Sequence, residues 1–596
     1  MIRFYEETPY FHFSDPRGRR AILGFLALVL LIIWSPVFSN QFIMWDDDFN
    51  LYQNPIILNG SWKKFWEEPY MGFYIPLTYT IWDILASVFG LASAWPFALL
   101  NVIFLFVNSV LTFHFIRWLL RYLYPQVKKK AIFPPEEIDW AAFLGTLIFA
   151  FHPFQVGAVS WHSGFRDLMS YFWTMLCLIT VLRSQKLFLA FVFFVLSLLS
   201  KPSSVTLSVT LMFLVYLLPG LRRKSWNGLM GAMLILGIAF SMWTHDIQSK
   251  FMIGLQSAAV PDRPFIMADT FGFYIRQFFG GGPLSADYGR TPPRVLEWGL
   301  WRETVPWLVV WLLALPLLFW KRWRELILFA ALWIVPMAPT SGVIPFNYQR
   351  ISSVADHYFI PALPAFGFLA AFLYLWPPAW LKNWPALKKV PVLNHFSIAW
   401  LIFPAMVVWG MQTHLRIQDW HDSETFFHSI INTHPYSHSA NNYLGYFAFG
   451  RGDWKEAEKY FRQATASLPV SAISSGNLGY ALLRQGRNAE VVAYLQTKVV
   501  DPDFIAQNMV HQHVIAVNYL ALGLAQANLG RFAEAFHNIC EMFKYSPQPN
   551  DAKDGYENLE RLKKVLNGND PQMKQSRALS TAESTTCPYL QKPPAL

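Results

Sequence analysis

Runs of about twenty predominantly apolar residues recur along this chain, and no other feature limits its fold as much. A backbone in lipid must satisfy its own hydrogen bonds as helix or closed barrel, and runs of that length are helices. We count about eleven spans, beginning near Ala21, Trp95, Trp140, Gly164, Leu187, Val205, Gly228, Val305, Glu325, Tyr358 and Ser397. The run Ala21 to Phe38 comes after Arg17, Arg19 and Arg20 with no small-residue cleavage site behind it, so it reads as a retained first span. The basic connections, Lys128 to Lys130, Arg183 with Lys186, Arg222 to Lys224, Lys321 with Arg322 and Arg324, and Lys388 with Lys389, all fall on the side of the N-terminus. That side is expected to be cytoplasmic, and an odd number of spans then carries everything after Gln412 across.

Composition agrees. The chain is 54% hydrophobic and only 14% charged, well below the quarter or so usual in soluble domains. A net charge of +10 in 596 residues would point to nucleic acid in a soluble protein. Here it belongs to cytoplasmic loops. Cys177, Cys540 and Cys587 have no metal-ligand spacing, and no disulfide framework is expected from them.

From His438 the pattern changes to amphipathic helices in a register of about 34 residues, the length of a tetratricopeptide helix-turn-helix unit. Leu444, Gly445, Ala448, Ala457, Phe461, Ala464 and Pro469 fill the small, aromatic and terminating positions of one unit. Leu478, Gly479 and Gly486 begin a second, and Leu522, Gly523, Gly530, Ala535 and Pro547 mark a third. The expected organisation is all-α: a polytopic membrane domain over 1–415, a soluble α-solenoid over 416–567, and a polar, disordered tail over 568–596.

Ionisable groups at membrane boundaries are the candidates for chemistry, because they are expensive there. Trp45-Asp46-Asp47-Asp48 lies just beyond the first span, and its crowded carboxylates resemble a general base or metal site. Alone, they fit a solvated acidic cap better. His152-Pro153 ends the third span, and Trp161-His162-Ser163-Gly164-Phe165-Arg166-Asp167 opens the fourth, where Arg166 can pair with Asp167 or bind a phosphate as a planar fork. Lys201 interrupts two apolar runs, and Asp356-His357 enters another. All of these lie on the non-cytoplasmic face, where a lipid phosphate could meet the cations and a hydroxyl the carboxylates. No Gly-rich phosphate loop or dinucleotide fingerprint is present.

These segments, taken in order, resemble the bacterial relatives of the transmembrane and tetratricopeptide-repeat O-mannosyltransferases, in the GT-C glycosyltransferase superfamily. The resemblance runs from Asp46-Asp47 through Tyr74-Ile75-Pro76-Leu77, His152-Pro153, Arg166-Asp167-Leu168 and Ser200-Lys201-Pro202 to Ala355-Asp356-His357-Tyr358, Trp420 and Phe427. It implies a GT-C-like fold and inverting transfer of mannose or a similar sugar from a polyprenyl-phosphate carrier. The acceptor would be a protein or glycan hydroxyl, presented through the repeats on the periplasmic face of a bacterial inner membrane. Asp46 or Asp47 would be the catalytic base. Arg166, Lys201 and His357, with His152, Asp167 and Asp356, would hold the lipid phosphate. No cofactor or metal ligand is assigned; the carboxylates would serve either as base or as ligands of a divalent cation. The chain departs from the pattern at Ile75 (Arg expected), Gly157 (Glu in many relatives) and His357 (Arg expected). The competing expectation is a non-catalytic, membrane-anchored repeat scaffold that recruits envelope proteins.

Overall fold

Apolar runs too long for strands become helices, and the computed structural model is helical throughout. It describes residues 16–124, 132–218, 221, 224–249, 257–377, 399–466, 471–508, 512–546, 549–566, 587 and 589, and among these there is no β-strand. Two compact units divide the chain, one over Met1–Gln248 with Ala258–Phe426 and one over Ser249–Ser257 with Phe427–Leu596.

In the first unit the helices are α1 (Pro16–Trp34), α2 (Pro76–Phe89), α3 (Trp95–Leu123), α4 (Pro135–Phe151), α5 (Phe165–Arg183), α6 (Leu187–Ser200) and α7 (Leu207–Leu217). Next come α8 (Lys224–Ser249), α9 (Arg263–Phe278), α10 (Trp301–Leu318), α11 (Trp323–Met337), α12 (Leu363–Leu375) and α13 (Ala399–Ile417). Among the described residues six apolar helical segments are long enough to cross a membrane, and a seventh is formed if α4 and the bent continuation Pro153–Val159 are one span. This is fewer than the eleven expected, and the reason is local. The runs at Leu187 and Val205 form helices of 14 and 11 residues separated at Lys201, and at about 1.5 Å per residue each falls short of a roughly 30 Å hydrocarbon core. The run at Glu325 gives only the 15 residues of α11. The start expected at Ser397, the basic residues Lys128 to Lys130, Arg222, Arg223, Lys388 and Lys389, and the repeat prolines Pro469 and Pro547 lie outside the described residues.

Two breaks shape the unit, and both precede proline. His152 (φ −64°, ψ 130°) and Lys201 (φ −157°, ψ 123°) are extended, because a proline at the next position disfavours helical geometry. Beyond His152 the chain bends by 47°. Polar side chains of α3 then fix the segment after the bend and the start of α5: Asn101 Nδ2 donates to the carbonyls of Val159 and Trp161, each at 3.1 Å, and Asn108 Nδ2 donates to Leu168 O at 2.9 Å. Inside an apolar bundle such bonds between segments act as register pins. Helices α4 and α12 approach closely through glycines: a Cβ on Gly145 would lie 2.3 Å from Gly367 O.

The second unit contains α14 (His438–Gly450), α15 (Trp454–Thr465), α16 (Ala472–Arg484), α17 (Asn488–Val499), α18 (Gln512–Asn528), α19 (Phe532–Tyr545) and α20 (Pro549–Leu566). Leu478, Leu495, Leu522, Ala535 and Ile539 belong to its single core. The Leu-Gly pairs mark where one helix of a pair abuts the next, since a Cβ on Gly445 would lie 2.6 Å from the Phe461 ring and one on Gly523 2.5 Å from Ile539. One expectation fails here: Cys540 and Cys587 form a disulfide. A single pair 47 residues apart has no spacing signature that marks it as bonded. The disordered tail expected over 568–596 otherwise lies outside the described residues.

Candidate functional site

The three adjacent aspartates have different surroundings, because the loop that carries them is laced to a segment far away in sequence. Trp161 Nε1 donates to Trp45 O at 2.6 Å. Asp47 is fully buried: its Oδ1 accepts from Ser163 N (2.8 Å) and Ser163 Oγ (2.7 Å), and its Oδ2 accepts from Ile43 N (3.2 Å) and faces His162 Nδ1 at 3.1 Å. Asn50 extends the lacing by donating to Ser163 Oγ and accepting from Tyr79 OH. Beneath the loop, Leu51, Phe65, Ile75, Trp82, Phe97 and Phe165 form a small core. Ile75, one of the departures, packs there.

Asp48 is buried as well, with Oδ1 lacking a partner. Desolvation pushes its carboxyl up to about 6, with the Asp46 and Asp47 charges adding and backbone N–H donors opposing. Asp46 alone is open, with 53% of its side chain exposed. Its backbone sits at φ +72°, a left-handed conformation that costs a non-glycine residue energy and tends to persist at functional positions. Its carboxyl is raised above the ordinary value, first by the protein that displaces part of its water and then by Asp47, against the pull of Arg166.

Arg166, in the first turn of α5, stands opposite. Its side chain is 11% exposed, with Nη2 3.7 Å from Asp46 Oδ2 and Nε 4.0 Å from Asp167 Oδ2. Aromatic rings hold the guanidinium, Trp161 at 4.8 Å and Phe73 at 5.4 Å. Both carboxylates are beyond hydrogen-bond range, and none of its N–H groups bonds to a described residue. Lys201 differs: its ammonium donates directly to Asp167 Oδ1 and lies 5.4 Å from the Tyr358 ring centre. His357 is buried, 5.5 Å from the Trp161 ring.

Asp46, Arg166, Asp167 and Lys201 thus form one continuous chain of charges, with His357 beside it and Asp47 as its anchor. Two other candidates are engaged in contacts of their own. His152 is enclosed by Phe154, Phe278 and Trp409, and its Nδ1 accepts from Phe154 N in the turn after the break. Asp356 accepts from Tyr288 OH at 2.5 Å and from Arg416 at 3.4 Å. The other two departures meet: a Cβ on Gly157 would lie 3.4 Å from Asp356 Cβ and 3.7 Å from His357 N. The Glu and Arg expected there would be neighbours, and this chain replaces both.

From the Asp167–Lys201 pair a narrow cavity runs along α5. Its lining passes from those charges through Ser170, Ser204 and Thr174 to Met175, Leu178 and Leu207. Asp167 and Leu178 are about 16 Å apart along the helix axis. Ser163, Asn50, Phe73 and Tyr79 shape the site without having been assigned roles from sequence. Nothing in their local spacing indicates that they converge. Among the described residues no three His, Cys, Asp or Glu side chains are grouped to hold a metal ion. No protein-family model, curated protein or solved structure matches this chain.

Proposed function

We propose that the first unit transfers a sugar from a polyprenyl-phosphate carrier to a hydroxyl acceptor, as the sequence resemblance implies. The observation that carries this reading is Arg166, a nearly buried guanidinium held flat by two rings, with its N–H groups unspent and an open carboxylate 3.7 Å away. A planar fork of that kind suits a phosphate, whose oxygens accept two parallel bonds. The adjoining cavity is charged at the Asp167–Lys201 end and apolar around Met175, Leu178 and Leu207, and an isoprenoid phosphate likewise has a charged end and an apolar one.

Asp46 is the base in this reading. Its carboxylate takes the acceptor hydroxyl proton as the acceptor oxygen bonds to the anomeric carbon. The bond from that carbon to the phosphate oxygen breaks on the opposite side. The lipid phosphate leaves with the bonding electrons, and Arg166 stabilises the charge it gains. Asp47 positions the loop. Lys201 neutralises Asp167 and lines the way to the apolar groove.

The helix pairs of the second unit, each close-packed through a Leu-Gly glycine, support a tetratricopeptide solenoid that presents the acceptor. The disulfide supports a non-cytoplasmic, oxidising location for that unit, the periplasm if the chain is bacterial. Eleven crossings would require the bent α4 pair, the shorter α6, α7 and α11, and α13 all to act as spans. Sugar release from farnesyl-phosphate mannose by the full-length protein in nanodiscs tests the chemistry. Asp46→Asn should abolish transfer to envelope glycans and proteins, and unchanged transfer in that variant would leave the scaffold reading standing. Labelling of unreduced whole cells with a thiol reagent tests the location. Finding Cys540 and Cys587 reactive before reduction would move the second unit to the cytoplasm.

A further inference from the structure

Arg166 serves two carboxylates, and its position is fixed by neither. Nη2 is 3.7 Å from Asp46 and Nε 4.0 Å from Asp167, while the rings of Phe73 and Trp161 set the plane of the guanidinium. Lys201 already occupies the other Asp167 oxygen. Among the described residues the charged and titratable groups that act on Asp46 are Arg166, Asp47, Asp48, Tyr79, Tyr348 and Tyr358, and Arg166 is the one cation of these. A cation at this range makes a carboxylate a weaker base. An anion seated on the guanidinium would cancel that effect without any side chain having to move.

We propose that donor binding activates the base: the phosphodiester of the lipid-linked sugar occupies Arg166, relieves Asp46 of its cation, and so makes deprotonation of the acceptor follow donor binding. This rests on the glycosyl-transfer reading above and adds an order of events to it. The site then holds a weak base while empty and a stronger one when a donor is in place. The proton that Asp46 takes up belongs to the acceptor hydroxyl during turnover, and to solvent when only the donor is bound.

Calorimetry with farnesyl methyl phosphate tests this without an acceptor, since a diester carries one charge and does not itself titrate near neutrality. The full-length protein in nanodiscs is titrated in two buffers of different ionisation heat. Relief of one nearby cation raises a carboxylate by roughly one unit, so binding near the Asp46 midpoint should take up about half a proton. Asp46→Asn should bind the diester with no uptake, Asp48→Asn should keep the uptake, and farnesol should produce none. Binding without uptake, or uptake that survives in Asp46→Asn, overturns the switch and leaves the phosphate site intact. No binding at all, or equal binding by Arg166→Gln, removes the phosphate site and the switch together.

Discussion

Among the arginine–aspartate pairs of the first unit, Arg290–Asp269 and Arg166–Asp46 are alike in residue type and opposite in how they are bonded. Arg290 grips Asp269 with two N–H groups, Nε to Oδ2 at 3.1 Å and Nη2 to Oδ1, and also donates to Leu300 O at 2.9 Å. Thr304 Oγ1 adds a bond to Asp269 at 2.6 Å, and Asp269 is fully buried. This pair ties α9 to the start of α10 and has little left to offer a ligand. Arg166 is nearly as buried as Arg290, yet it and Asp46 stop at 3.7 Å and Asp46 is half exposed. Saturation marks a pair that holds structure, whereas unspent hydrogen-bonding capacity at a fixed position marks one that can serve a substrate.

The contrast is broken most directly at Arg290. Arg290→Gln leaves the Asp269 carboxylate buried without its cation, and losing one partner of a buried pair costs about 3–5 kcal/mol. We expect thermal unfolding of the purified protein in detergent to fall sharply for this variant. A loss below about 1 kcal/mol would mean that the pair is no more structural than an exposed one.

The same contrast shows what could be read in the sequence. Asp46-Asp47-Asp48, Arg166, Lys201 and His357 could be named in advance because charges beside apolar runs are costly wherever they occur. Which of the three aspartates stays open could not be known. That is decided by His162 and Ser163, 115 and 116 residues away from Asp47, and by the left-handed turn at Asp46 that their grip on its neighbour permits. His152 was placed with the phosphate ligands because it sits at a span end. Phe278 and Trp409, from distant helices, enclose it instead. The helix-pair rhythm of the second unit was legible because it is local and periodic, and the Cys540–Cys587 bond was not because it is neither. Hydropathy marks about eleven runs, whereas among the described residues six apolar helices, or seven with the bent pair, have the length to cross, because the runs at Leu187, Val205 and Glu325 give shorter helices.

A middle-sized effect is expected at Asp48, which has neither the partner of Asp269 nor the exposure of Asp46. Its carboxyl is pushed up to about 6 by desolvation. A carboxyl raised in the fold holds its proton more tightly than in the unfolded chain, where it titrates near 4. Its stabilising contribution is present below that unfolded value and is lost as pH rises through about 6. The wild-type protein should therefore lose on the order of 1–3 kcal/mol between pH 4 and 8 from this group, while Asp48→Asn, which cannot ionise, should show a flatter profile. Parallel profiles for the two proteins would show that Asp48 is solvated like an ordinary surface carboxylate.

The smallest expected effect sharpens the comparison further. A double-mutant cycle between Arg166→Gln and Asp46→Asn, read in unfolding of the protein without ligand, should give a coupling of about 1 kcal/mol, the size that a shift of roughly one unit at Asp46 implies for a long pair with one solvent-exposed partner. The corresponding cycle for Arg290→Gln and Asp269→Asn should be several times larger, because two direct bonds are lost there from a desolvated site. Farnesyl methyl phosphate should then separate the pairs in the opposite sense. The ligand should raise the melting temperature of wild type and of both Arg290 and Asp269 variants that still fold, through mass action on the native state. It should have no effect on Arg166→Gln. If the cycle at Arg166 and Asp46 instead returned several kcal/mol, the guanidinium would be committed to Asp46 as firmly as Arg290 is to Asp269, and a phosphate could reach it only at that cost.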